Sequence, residues 1–212
     1  MHSESTTTEA VSTRERVRQA AFELFGEKGY DGVSMTELGE RVGIAKPSLY
    51  NYYRSKEELL IDLVGEGLRQ WTDHCMAPLA RAASFERQLA DHLRLAVDFA
   101  ERWPHVVAVF HMATTHVQGE LALRIGGMVA AMEAEVQATF RARIDRALAE
   151  GEIAAPSTED VMIFLGVFFH GLLFLQTNCR HQVGPLRERL EQVWYQLFRA
   201  VAGRPPREPL NP

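Results

Sequence analysis

The sequence predicts an all-α chain, with an N-terminal three-helix helix-turn-helix head followed by a larger helical body. Apolar residues recur at three- and four-residue spacings through most of the chain, and no segment alternates as a half-buried strand would. Ser-x-x-acid pairs and glycines fall where those periodic segments begin and end. The stretch from Ser34 to Glu58, SMTELGERVGIAKPSLYNYYRSKEE, reads as two short helices across a tight turn with a third beginning at once. At 212 residues and 46% hydrophobic content the chain is long enough for a small head and a body with its own core.

In chain order, residues 1–11 are rich in Ser, Thr and Glu without periodicity and read as a disordered arm. Ser12 and Glu15 open the first helix. Val17, Ala20, Ala21, Leu24 and Phe25 form its core-facing stripe, Phe22 is also read as core, and Lys28-Gly29 ends it. Ser34 with Glu37 is a second capping box, Leu38 and Val42 share a face, and Gly43 suits a left-handed turn plugged by Ile44. Pro47 lies early in the next helix, where a missing N–H costs little. Leu49 and Tyr53 form that helix's buried face, leaving Lys46, Ser48, Asn51 and Tyr52 pointing elsewhere. Such side chains on an exposed second helix suit base edges and phosphates of a major groove, although a solvated hairpin shares the generic pattern.

The exact string says more. Gly29-Tyr30, and then Leu49-Tyr50-Asn51-Tyr52-Tyr53-Arg54-Ser55-Lys56-Glu57-Glu58-Leu59, resemble the DNA-binding head of TetR-family transcriptional repressors. The resemblance is specific over Arg14 to Leu63 and only architectural beyond. It implies a dimeric repressor that binds a palindromic operator and is released by a small, mostly apolar effector held in the body. Carried onto this sequence, it makes Lys46, Ser48 and Asn51 base readers and Pro47 an apolar contact to a thymine methyl. Tyr50, Tyr52, Lys56 and the Ser34-Met35-Thr36 end of the second helix would meet phosphates. Lys56 at a helix N-terminus opposes the helix dipole, which suggests an external anion such as a phosphate. The sequence departs from the family at Ala45, where Ser or Thr usually caps the recognition helix, and at Pro47, where glycine is common.

Charge is divided along the chain. Residues 1–56 are neutral overall, residues 57–212 carry the whole net charge of −5, and Ile44 to Lys56 holds Lys46, Arg54 and Lys56 without an acid. An acidic body with one basic segment would orient DNA more than tighten it.

The body is expected to span residues 57–203, after a head of residues 12–56, with a loose Pro-rich tail over 204–212. Leu60, Leu63, Val64, Gly67, Leu68 and Trp71 stripe its first helix, and Met76-Ala77-Pro78 breaks it. Ser84 caps a helix running to Trp103, a short helix covers Pro104 to Thr114, and a long one runs from Gly119 to Glu150. Its stripe includes Met128, Met132, Phe140 and Ile144, and Gly151 stops it. Ser157 and Asp160 cap a helix from Val161 to about Thr177, and Pro185 opens the last, through Ala202. The Val161 helix is apolar nearly all round, and one small body covers only one side. A two-fold partner would cover the rest as a four-helix bundle, with Phe168, Leu172, Leu190, Val193, Trp194 and Leu197 at the interface; a central helix of a monomeric core is the alternative. For the effector pocket the resemblance implies, the candidate lining is the aromatic, Met, Cys and His content of the body. Trp71, Cys75, Phe99, Trp103, Phe110 and His111 supply it from the first half, and Met128, Met132, Phe164, Phe168 and His170 from the second.

Other classes fare less well. No phosphate-cradling loop, paired carboxylates or nucleophile motif points to an enzyme, and no catalytic residue or cofactor is expected. His111 and His116 are five apart, not the three or four that align two ligands on one helical face, so no metal is expected. Two cysteines, Cys75 and Cys179, are too few for a disulfide framework. No signal peptide is visible, and the longest apolar run, Val161 to Leu175, is interrupted and short for a membrane span; a cytoplasmic protein is expected. A helical small-molecule binder that no longer reads DNA, or an activator of the same family, are the alternatives.

Overall fold

The computed structural model describes residues 12–76, 83–179, 181 and 184–210. The expected arm over 1–11, the Ala77-Pro78 break and the last two residues of the tail lie outside them. Among the described residues there is no strand. The head comprises α1 (Thr13–Lys28), α2 (Met35–Val42) and α3 (Lys46–Tyr50). The body comprises α4 (Lys56–Trp71, closed by a π-turn over Thr72–Met76), α5 (Phe85–Arg102), α6 (Pro104–Thr115), α7 (Gly119–Ala149), α8 (Thr158–Asn178) and α9 (Leu190–Ala202, preceded by a 3-10 turn over Leu186–Arg189).

Serine starts most of these helices. Ser12, Ser34, Ser55, Ser84 and Ser157 each accept from the N–H three residues on, at 3.1–3.2 Å, each worth ~1 kcal/mol over alanine. Ser55 was not among the expected caps; Glu58 reaches back beyond it to accept from the Arg54 N–H at 2.8 Å. Glu37 instead turns its carboxylate to the Lys28 ammonium, which holds its pKa below the usual value.

Two apolar cores result. One runs from α1 through α3 into α4, α6 and the first half of α7. The other joins α5, the end of α7, α8 and α9. Head and body therefore share a core across residue 56, and the packing there is tight. A Cβ on Gly26 of α1 would lie 3.1 Å from His105 Nδ1, and one on Gly67 of α4 would lie 3.0 Å from Val106 Cγ1.

Residues 204–210, expected to be loose, are tied to α5 and α9. Arg204 pairs with the Glu86 carboxylate at 3.1 Å, the Arg207 and Glu208 N–H groups donate to it at 2.5 and 3.2 Å, and Leu210 N–H donates to Glu191 at 2.9 Å. The prolines exclude a helix there without excluding order.

α8 also differs from expectation. At 21 residues it is long and apolar enough to cross a membrane, so the argument from length fails. It packs one side on α5, α6 and α7, burying Val161, Leu165, Phe169, Leu172 and Gln176. Ile163 (66% exposed), Phe164 and Val167 (71%) remain open, with Phe174 and Leu175. Of the expected interface, Leu172, Trp194 and Leu197 are buried in their own chain, and Phe168, Leu190 and Val193 pack half-buried on the same core. A helix apolar on every side gave no sequence signal as to which side faces inward.

Candidate nucleic-acid interface and body cavity

α2 ends at Gly43, left-handed at φ 78° and ψ 34°. The Gly43 and Ile44 N–H groups both donate to the Gly39 carbonyl at 2.9 Å, drawing the turn back onto α2. A Cβ on Gly39 would lie 2.9 Å from the Ile44 carbonyl oxygen, so the close approach requires the missing side chain. Leu49 and Tyr53 then anchor α3 with no exposed surface. The Tyr53 hydroxyl donates to Asp62 at 2.7 Å, and Arg18 binds Asp62 and Glu66, both at 3.1 Å. Burial above all pushes the Tyr53 hydroxyl pKa up, so it stays a neutral donor. Arg16 donates to the Val42 carbonyl at 2.5 Å. Tyr53 and the three arginine contacts fix the helix pair from behind.

In front, Thr36, Lys46, Pro47, Ser48, Tyr50, Asn51 and Tyr52 are all exposed. Lys46 and Arg54 form no ion pair among the described residues. Three expectations change. α3 is five residues long rather than reaching Tyr53, and Asn51 sits at its C-cap. Met35 is a core residue, 8% exposed, and Ser34 spends its hydroxyl on the α2 cap. Lys56 has internal partners: its ammonium donates to the Val33 carbonyl at 3.0 Å and lies 4.2 Å from the Tyr30 ring centroid. Those contacts account for a cation at a helix N-terminus without an external anion. Ala45 forms no side-chain cap, as expected, and its own carbonyl accepts the Ser48 N–H at 2.9 Å.

In the body, α4 to α8 line a partly open cavity of about 490 Å³. Of the candidate residues, Trp71, Phe99, Phe110, His111, Met132 and His170 line it. Cys75, Trp103, Met128, Phe164 and Phe168 do not. Cys75 is fully buried, and burial pushes its thiol pKa up. Trp103 packs on Phe99 and His74 at ring distances of 5.0 and 5.1 Å, and Met128 lies beside Gly65. Phe164 faces out, with Phe168 between it and Phe169.

The sequence reading missed His92, Glu133, Gln137, Phe140, Phe169 and Phe174 as lining. The legible signal was His92, a polar residue on the apolar stripe of α5. It is 4% exposed, and burial pushes its pKa down to about 4. Burial, and then His116, also lowers His111. Among the described residues no group of three His, Cys, Asp or Glu side chains could hold a metal ion.

Comparison with known proteins agrees with this geometry. The family described as "Bacterial regulatory proteins, tetR family" matches residues 17–63, the stretch from α1 into α4. The head of this chain is a TetR-family head. The HTH-type transcriptional regulator RutR of Escherichia coli (strain K12) is 30% identical over 107 residues, covering 49% of each protein. Tetracycline repressor protein class D of Escherichia coli is 35% identical over 85 residues, 40% of this chain and 39% of that protein. The chain thus spans less than half the length of these curated relatives. The fold extends further. The structure of AibR in complex with isovaleryl coenzyme A and operator DNA superposes with a TM-score of 0.73 over 88% of this chain and 98% of that one, at 18% identity. The all-α fold of that structure therefore extends through the body of this chain, at low sequence identity.

Proposed function

We propose that this chain is a dimeric, cytoplasmic transcriptional repressor that binds an inverted-repeat operator and is released by a small, mostly apolar effector. The observation that carries the reading is that α4 and α6, which wall the cavity, also hold α1 and with it the braced helix pair. Lys46, Ser48 and Asn51 read base edges, and Pro47 meets a thymine methyl. Thr36, Tyr50 and Tyr52 contact phosphates and fix the register. Lys56 supports this face by positioning Tyr30 and the Val33 turn. The dimer forms on the open side of α8, around Ile163, Val167 and Phe174, with α9 alongside, which pairs the heads for two half-sites. Effector and operator favour different spacings of the heads and so weaken each other.

The test is selection of duplexes from a random library by the purified protein at near-physiological salt. An enriched inverted repeat supports the reading. No enrichment by folded, dimeric protein would overturn it and favour a small-molecule binder without DNA recognition. Lys46→Ala is expected to weaken the selected duplex.

A further inference from the structure

The charge inventory of the cavity points to the effector's class: a hydrophobic amine, bound as its ammonium with Glu133, rather than a carboxylate or phosphate. This deepens the effector reading above and rests on it. No Lys or Arg lines the cavity, and its one carboxylate, on half-buried Glu133, has no ion-pair partner among the described residues. Burial works against positive charge on two of its histidines. His92 is pushed down to about 4 by burial, and His111 is lowered the same way. An anion entering here would find no Lys or Arg among the lining side chains and would face Glu133.

The remaining polar atoms ask for a donor. His92 Nδ1 is buried without a hydrogen-bond partner, and Gln137 adds an amide, able to accept or to donate, to the α7 wall. The apolar wall is aromatic: Trp71 and Phe99 meet edge-to-face at 5.2 Å, and His92 contacts Phe140 and Phe169 at 5.2 and 4.5 Å. Rings of this kind take up a hydrocarbon body and stabilise an adjacent ammonium through their faces. An ammonium supplies N–H donors for His92 Nδ1 and Glu133 and the positive charge that the lining lacks.

The experiment uses three probes on one skeleton, 4-phenylbutylamine, 4-phenylbutan-1-ol and 4-phenylbutyrate. Each is titrated into the full-length protein at pH 7, with Trp71 fluorescence and calorimetry as readouts. The amine is expected to bind at least about tenfold tighter than the carboxylate, with the alcohol between. Glu133→Gln should remove most of the amine's lead over the alcohol while leaving the alcohol within about twofold. Preference for the carboxylate, an amine lead that survives Glu133→Gln, or no binding of any probe by folded protein would each overturn the inference. Release of the selected duplex is measured separately. An amine that binds without releasing DNA would support this inference and overturn the repressor reading, so the two fail independently.

Discussion

Replacing Gly39 with alanine tests the helix-turn-helix turn directly. The backbone at Gly39 is not left-handed, so the substitution strains no dihedral, and only space is at issue. The new Cβ would lie 2.9 Å from the Ile44 carbonyl oxygen, a backbone atom that cannot rotate away. Alanine contributes about 1 kcal/mol of helix propensity over glycine, whereas overpacking a fixed neighbour costs roughly 1–3 kcal/mol. The expected net loss is therefore about 0–2 kcal/mol, with a fall of about 2–4 °C in melting temperature per kcal/mol lost. The larger effect falls on DNA. Ile44 leads directly into α3, so a shift that relieves the clash tilts Lys46, Ser48 and Asn51 together, and operator affinity is expected to drop about tenfold or more. Gly126→Ala on α7 is the matched control. A Cβ there meets nothing within 4 Å, so the same substitution should stabilise by about 1 kcal/mol and leave DNA binding unchanged. Thermal melts and a binding isotherm on the selected duplex read both effects. If Gly39→Ala matched Gly126→Ala in stability and wild type in affinity, the close approach would not be the reason for glycine in this turn.

Tyr53→Phe removes the hydroxyl donor to Asp62 and is expected to cost about 1–2 kcal/mol in urea unfolding; an unchanged midpoint would show that the Arg14 and Arg18 pairs with Asp62 and Glu66 suffice to hold α4 to the head. Ala45→Ser should stabilise by less than about 0.5 kcal/mol, because Pro47 has no N–H and the Ser48 N–H is already taken; a full cap-sized gain by calorimetry would contradict that accounting. Val167→Asp on the open side of α8 should turn the dimer into monomers in light scattering with the helical signal retained, and an intact dimer would move the interface elsewhere. His92 has a folded pKa of about 4, below its ordinary 6.5, so the folded state binds fewer protons and stability falls as pH drops below 6.5 towards 4. Between pH 7 and 5 wild type should lose about 2 kcal/mol more than His92→Phe, and parallel urea curves for the two proteins would refute the assignment.

The head was more legible in the sequence than the body because its signals are local. A serine three residues before a glutamate, a glycine at a helix end and two residues four apart each state a backbone requirement within one or two turns. The five-residue length of α3 was not stated that way, since Tyr53 belongs to the buried set whether or not the helix reaches it. Lys56 misled because the dipole argument considered its own helix alone, and its partners Val33 and Tyr30 lie more than twenty residues earlier. In the body, an apolar stripe marks a buried face without saying what lies opposite. Met128 and Phe140 share the α7 stripe, but Met128 meets Gly65 and Phe140 meets the cavity. Phe164 and Phe169 are five residues apart on α8, and only the neighbouring helices decide that one faces out and the other in.

The same placement shows why filling the cavity would be felt at the head. Val106, Val107 and Phe110 of α6 line the cavity, and His105, the residue before them, is the one against which Gly26 of α1 packs. On the other wall Gly67, Leu68 and Trp71 of α4 line the cavity, while Asp62 and Glu66 of the same helix bind Arg18 of α1. An effector that pushes α6 from α4 therefore acts on α1 from both helices that hold it. Gly26 leaves little slack where α1 meets His105 of α6, so under the proposed function a displacement of α6 would pass to α1 rather than be absorbed in repacking. The coupling this can deliver is about 1–3 kcal/mol, enough to loosen an operator complex without unfolding the head. Larger side chains at Gly26 or Gly67 would shift α6 in the absence of effector, imitating the released state.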